Sequence, residues 1–397
     1  MSSKDPVQGS LPLAGCRVIE RSRNVAAAYA GRLLASMGAT VVMLEPPEGS
    51  PLRRAPPLLN ETGHSALFAF LALDKRSLVC DLASTEGQRV LERELQHADI
   101  LIDDTPIVER AAQTLDPDLI SERFPALVHV SVLPFGSTGP KATWDAEEVN
   151  LIHAGGEGFL LPNGLSNELF PDRPPLKIYG HFSGYQGGAT AALAALSAWW
   201  AVPTAGGQYV DVSVQDAVLA VGAFALQRLG DGSLEHRTTR RFRYGGVFEA
   251  QGGFVELLTL EDRQWNALVE LLGHPAWTQD EALRDPLERS RRGDEINQHI
   301  REWMSRHNVN DIVQRAQELG VPAAKYHTPA EVIDGIHERS RGLFTPLLLD
   351  GGEQSNAPQP KVLVAPFQFR CTPLQARGRV PALGELALAG RKAQEPA

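Results

Sequence analysis

Across the first 135 residues, short β-branched runs alternate with amphipathic stretches, and few folds admit that alternation. Residues 16–19 (CRVI), 40–45 (TVVMLE), 77–82 (SLVCDL), 99–103 (DILID) and 127–132 (LVHVSV) have the length and side chains of buried strands. Residues 28–37 carry apolar side chains at helical spacing and stop at Gly38; residues 84–97 open on a serine and place a glutamate in the first turn. Strands interleaved with helices in this way predict an α/β chain with a doubly wound, Rossmann-like sheet.

The same stretch excludes the commonest occupants of such a sheet. A dinucleotide enzyme needs a glycine-rich turn after its first strand, so that the backbone can approach a pyrophosphate at a helix N-terminus. Residues 21–30 (RSRNVAAAYA) stand there instead, and no GxGxxG follows any predicted strand. Residues 136–143 (GSTGPKAT) have the wrong glycine spacing for a P-loop. There is no HExxH, no EF-hand loop and no GxSxG elbow; Ser183, within 180–184 (GHFSG), is one register off the last of these.

At 397 residues the chain exceeds what one core usually supports, and 43% apolar content can fill two. A formal charge of −10, from 38 basic against 48 acidic side chains, argues against nucleic acid as a partner. The basic run 237–243 (RTTRRFR) reads as a solvated surface or interface rim, with an anion patch as the sharper alternative. Cys16, Cys80 and Cys371 have neither disulfide-framework nor CxxC spacing, which fits a reducing compartment. The N-terminus lacks a signal peptide's apolar stretch, and the most apolar run, 189–202, is shorter than the ~20 residues of a spanning helix, so a cytoplasmic protein without membrane contact is expected.

Beyond the sheet pattern, residues 183–229 are Ala- and Gly-rich and helical, broken at 206–208 and by the strand-like 209–213 (YVDVS). Small residues of this kind let helices approach closely, in a core or an oligomer contact. After Arg243 short strands (246–250, 254–259) and Trp- and charge-rich helices mark a second, smaller α+β domain. The expected organisation is a large domain at 1–225, a small domain at 226–330, and a C-terminal segment, 331–397, that returns to the large domain.

These blocks, in this order, resemble the class III CoA-transferases (the CaiB/BaiF group), a family that also holds the α-methylacyl-CoA racemases. The resemblance runs through residues 11–54 (LPLAGCRVIERSRNVAAAYAGRLLASMGATVVMLEPPEGSPLRR), 73–91 (LDKRSLVCDLASTEGQRVL) and 135–140 (FGSTGP). It continues in 206–220 (GGQYVDVSVQDAVLA), 243–257 (RYGGVFEAQGGFVEL) and 319–332 (LGVPAAKYHTPAEV). It implies the family III fold as an intertwined dimer, with coenzyme A or acyl-CoA as substrate, a carboxylate as co-substrate and no covalently bound cofactor or metal. It also implies a CoA site in which Asn24, Val25 and Ala26 form the loop after the first strand, and Leu73 and Lys75 the adenine and phosphate segment. A 3′-phosphate and a pyrophosphate call for a cation such as Lys75. Where the family often has Asn-Phe-Arg-Pro, this chain has Asp103-Asp104-Thr105-Pro106, two acids beside the expected anion path.

In the family an aspartate nine residues after a proline attacks the thioester, because a carboxylate is nucleophilic yet leaves readily. Counting from Pro175, that position holds Gly184, which has no side chain. The racemases use an aspartate six residues after the proline and a histidine in the preceding block; here these positions hold His181 and Glu147, an exchanged acid/base pair. The plainer account of the same residues is a histidine at a helix start and a capping pair, Glu147-Glu148. Three readings follow: the aspartate-free subunit of a heteromeric CoA-transferase, paired with a homologous aspartate-containing subunit in a dimer or heterotetramer; a racemase using Glu147 and His181; or a CoA-binding protein without catalysis. The first has precedent in enzymes such as succinyl-CoA:benzylsuccinate CoA-transferase, built from two homologous subunits of which one lacks the aspartate.

Overall fold

The computed structural model describes residues 11–59, 63–160, 172–174, 176–222, 243–349, 360–374 and 378–386. Pro175 and nearly all of the 237–243 basic run lie outside them. The chain forms two compact units, one of Met1–Phe159, Leu176–Asp231 and Ile336–Ala397, the other of Leu160–Pro175 and Gly232–Gly335.

The first unit is built on six parallel strands: β1 (Arg17–Arg21), β2 (Thr40–Glu45), β3 (Arg76–Val79), β4 (Ile100–Asp103), β5 (Val128–Leu133) and β6 (Tyr209–Ser213). Their order is β3-β2-β1-β4-β5-β6, so the direction of winding reverses between β1 and β4. Helices α1 (Val25–Ser36), α2 (Ala66–Leu71), α3 (Thr85–Leu95), α4 (Ile107–Arg110) and α5 (Pro117–Arg123) precede β5. Helices α6 (Glu148–Ala154), α7 (Glu157–Leu160), α8 (Phe182–Ala205) and α9 (Val214–Gly222) come later. Both faces of the sheet are dry, as the near-continuous apolar runs require. Val18, Ile100, Ile102 and Val130 pack under α1 and α8, while Ile19, Leu101 and Leu78 meet Leu91 and Leu95 of α3 on the other side.

Local sequence explains the boundaries. Helix α1 starts three residues before the expected 28 because Asn24 caps it, its Oδ1 accepting the N–H of Ala27 at 2.9 Å. Helix α3 starts where Ser84 predicts, Ser84 Oγ accepting the N–H of Gly87 at 3.0 Å. The tail is bonded to the sheet unit: Arg32 donates to the carbonyls of Leu363 and Val364, and Gly384 N–H donates to Ser77 Oγ.

The contact that shapes this unit is between α1 and α8. Helix α8 turns Gly184, Gly187, Gly188, Ala191 and Ala195 inward, and α1 offers Ala26 and Ala30, so the two backbones come close. A β-carbon on Gly188 would lie 2.6 Å from the Ala26 carbonyl oxygen, backbone that has nowhere to go.

The second unit holds an antiparallel sheet of β7 (Gly246–Ala250), β8 (Gly253–Leu257) and β9 (Ala323–Lys325). Helices α10 (Asp262–Leu271), α11 (Pro286–Arg291), α12 (Gly293–Met304), α13 (Val309–Leu319) and α14 (Pro329–Ile333) accompany it. Its core is separate, centred on Tyr244, Trp265, Leu268, Ile300 and Met304. Among the described residues no helix is long and apolar enough to cross a membrane.

Gly188→Ala is expected to destabilise the protein by about 1–3 kcal/mol, the usual cost of overpacking. Gly184→Ala is expected to cost less, because its β-carbon meets Val25 Cβ and Cγ1 at 3.1 Å and the nearest backbone atom, the Ala26 nitrogen, only at 3.7 Å. Urea unfolding of the two variants measures both; equal effects would mean that α1 and α8 are not in close contact at Gly188.

Candidate functional site

The site grows from the carboxyl ends of β1 and β4. After β1 the chain turns through Ser22 and Arg23 to the α1 cap at Asn24; after β4 it runs Asp103-Asp104-Thr105 into α4. Above them lies the first turn of α8, Phe182-Ser183-Gly184.

Gly184 sits in that turn, facing α1. An added β-carbon would stand 3.1 Å from Val25 Cβ and Cγ1 and 3.7 Å from the Ala26 nitrogen. The structure therefore brings together the position aligned with the nucleophile and two of the three residues aligned with the CoA loop. No carboxylate projects from position 184, but one approaches it from α6. Glu148 accepts the N–H of Ser183 on Oε1 at 2.7 Å and the N–H of Gly184 on Oε2 at 3.2 Å, so a half-buried carboxylate caps the positive end of α8.

Glu147 is occupied differently. It is exposed and forms a capping box with Asn150, its side chain taking the Asn150 N–H while Asn150 Oδ1 takes the Glu147 N–H at 2.9 Å. The plainer sequence reading accounts for it. His181 precedes α8 without bonding its backbone as a cap, and its ring lies edge-on to Tyr185, centroids 6.5 Å apart, beside the Tyr29, Phe70 and Tyr185 rings.

Lys75 departs from what the resemblance implies for it. It is 1% exposed, and its Nζ lies 2.6 Å from Glu20 Oε2 and 2.7 Å from the Ala28 carbonyl. Its charge is matched inside the unit, so Lys75 ties β1 to α1 and presents no ammonium to a phosphate; Leu73 is likewise fully buried. Burial pushes the Glu20 carboxyl up and the Lys75 ammonium down, and the charge of each partner opposes the shift of the other. Helix α1 passes so close that a β-carbon on Gly31 would overlap Glu20 Oε2 at 1.7 Å. The space beside the pair, bounded by Glu20, Ser22, Ala28, Ser50, Leu52 and Lys75, is about 10 Å³, room for a single water.

The Asp103-Asp104 pair splits into two environments. For Asp103, burial pushes the carboxyl up, but His129 Nε2 at 3.6 Å and Arg110 Nη2 at 3.7 Å outweigh it and hold it below the usual range. For Asp104, burial and the Asp103 charge overcome the N–H donors of Arg23 and Asn24, and the carboxyl is pushed up to about 7. Burial also raises the Cys16 thiol to about 12 and the Cys80 thiol to about 11, the behaviour of inert core cysteines. Among the described residues no group of three or more His, Cys, Asp or Glu is placed to hold a metal.

Sequence reasoning did not anticipate Glu20 or the bond from Glu148 to α8. An acid at the end of a buried strand, preceding a buried lysine by a crossover, was the available signal for the first.

Comparison with known proteins identifies the family. The model of CoA-transferase family III matches residues 13–386. The chain is 29% identical over 394 residues to a succinate–glutarate CoA-transferase of Agrobacterium fabrum, covering 94% of this chain and 93% of that protein. It is 27% identical over 365 residues to the alpha subunit of a succinyl-CoA–L-malate CoA-transferase of Chloroflexus aurantiacus, covering 88% and 82% respectively. The crystal structure of a CaiB/BaiF family protein from Brucella suis superposes with a TM-score of 0.83 at 25% identity, covering 98% of this chain and all of that one.

Lys75→Met is expected to leave Glu20 as an uncompensated buried charge and to cost about 3–5 kcal/mol of stability. Adding Glu20→Gln should recover a large part of it. Chemical denaturation of the single and double variants checks this; a Lys75→Met protein of native stability would show that the pair carries no structural role.

Proposed function

We infer that this chain, which belongs to CoA-transferase family III, is the subunit without a nucleophile in a heteromeric enzyme that moves CoA from succinyl-CoA or a similar donor to a carboxylic acid, such as an aryl-substituted succinate. The observation that carries this reading is Gly184. The helix end where relatives are read to carry an aspartate has no side chain, and its free N–H groups are already taken by Glu148. A mixed anhydride cannot form on a glycine, so the acyl group is handled by a partner chain.

The activities of relatives support the chemistry. Succinate, glutarate and malate are short dicarboxylates, and one relative is itself an alpha subunit. In this reading Asn24, Val25 and Ala26 contact the CoA moiety, Leu73 underlies it, and Lys75 acts from behind by fixing α1. The CoA-binding domain falls within 1–225, less the Leu160–Pro175 stretch of the second unit, the small domain within 226–330 and the returning segment within 331–397. Leu193 and Trp200, exposed on α8 (Trp200 at 83%), belong to the contact with the second chain of an intertwined dimer or heterotetramer. An acyl-CoA substrate goes with a cytoplasmic location. A proton shuttle through Glu147 and His181 has weaker support, because the Glu147 carboxylate is engaged in capping its own helix.

Expressed alone, the protein is expected to fold and to transfer no CoA from succinyl-CoA to succinate, glutarate or malate. Purified from its host, it should bring a homologous chain with aspartate at the position of Gly184, and mixing the two should give activity. Robust transfer by the isolated chain would contradict the assignment.

A further inference from the structure

The amino ends of β2 and β3 lie at the opposite end of the parallel sheet from the strand ends that build the Gly184 site. Thr40 opens β2 and Arg76 opens β3, the edge strand. Between them, the last turn of α1 and the returning C-terminal segment lies a cavity of about 400 Å³, within the ~300–1,000 Å³ usual for small-molecule clefts. Its lining has two halves: Leu11, Ala35 and Val364 give an apolar wall, and Arg76, Arg379 and Thr40 a polar rim.

The rim offers unspent positive charge. Arg76 is exposed and, among the described residues, its guanidinium has no hydrogen-bond or ion-pair partner. Arg379 is exposed too, but its backbone is fixed: its carbonyl accepts the Asp74 N–H at 2.8 Å, and its own N–H donates to Asp74 Oδ1 at 3.3 Å. Its guanidinium pairs with Glu385 on the same returning segment. The groups that could repel an anion are answered locally. Asp74 also lines the cavity, yet its charge acts on the buried Arg32 guanidinium, opposing the effect of burial there. The carbonyls of Leu33, Leu34 and Ala35 at the end of α1 already accept the N–H groups of Met37, Gly38 and Ala39.

We propose that this cavity binds a small organic anion, its oxyanion head held between the Arg76 and Arg379 guanidinium groups and its short apolar body laid against Leu11, Ala35 and Val364. Guanidinium forks match the oxygens of a carboxylate or a phosphate, and the head needs no more than that. The remaining volume and the apolar wall call for a hydrocarbon part, which a bare inorganic ion lacks. Arg76 belongs to the sheet and Arg379 to the returning segment, so the bound anion ties one to the other. The inference concerns the amino ends of the strands and holds whether or not the chain carries a nucleophile.

The test is calorimetry on the full chain with butyrate, butyl phosphate and inorganic sulfate at fixed ionic strength. One of the two organic anions is expected to bind about tenfold more tightly than sulfate, through its buried methylenes. Preference for butyrate assigns the head to a carboxylic acid, and preference for butyl phosphate assigns it to a phosphate monoester. Arg76→Gln should weaken that binding about tenfold or more, as loss of a charge-assisted contact does, and leave the urea midpoint unchanged. Arg379→Gln should weaken it as well. Saturating coenzyme A should leave the anion bound, and displacement by it would put the anion at the carboxyl ends of the strands and overturn the proposal. So would failure of both organic anions to bind, sulfate binding as tightly as either, or an Arg76→Gln protein of native affinity.

Discussion

The close approach of α1 to α8 is the constraint on which the site depends. It rests on small residues at the crossing, Ala26 and Ala30 against Gly184, Gly187, Gly188 and Ala191. Glycine at 188 is imposed by the Ala26 carbonyl; at 184 the approach is looser, an added β-carbon standing 3.1 Å from Val25 Cβ and Cγ1 and 3.7 Å from the Ala26 nitrogen. A side chain at 184 needs α1 to give by a few tenths of an ångström at Val25, where one at 188 meets backbone at 2.6 Å.

Beneath this contact, buried charge is distributed in pairs that have little to do with substrate. Glu20 with Lys75, Glu45 with Arg53, and Asp103 with Arg110 each pair opposite charges at one strand end. Such pairs are costly to break from one side only. Asp104 differs from them: its partners are backbone groups and one half-exposed arginine, and burial pushes its carboxyl up to about 7.

Most of the fold was legible in the sequence, because parallel strands buried on both faces leave continuous β-branched runs and the register follows from them. Strands read at 40–45, 99–103 and 127–132 lie within a residue of β2, β4 and β5. The start of α1 was misjudged because Asn24 is a cap and its role depends on one side-chain bond. The site was less legible. A lysine in a CoA-like segment says nothing of which way its ammonium points, and only the fold shows that Glu20 claims it. Likewise Glu147 and Glu148 are neighbours in sequence, yet one caps α6 and the other reaches α8, a difference set by helix phase.

The central claim, that this chain keeps the family's site but not its nucleophile, is tested most directly by Gly184→Asp. Native and variant proteins would be incubated with succinyl-CoA, trapped with hydroxylamine or borohydride, and mapped by mass spectrometry. The account predicts no modified carboxylate in the native chain and a trapped adduct at position 184 in the variant. A native chain already acylated at Glu148, or at any other carboxylate, would contradict it and show an enzyme that has moved its nucleophile.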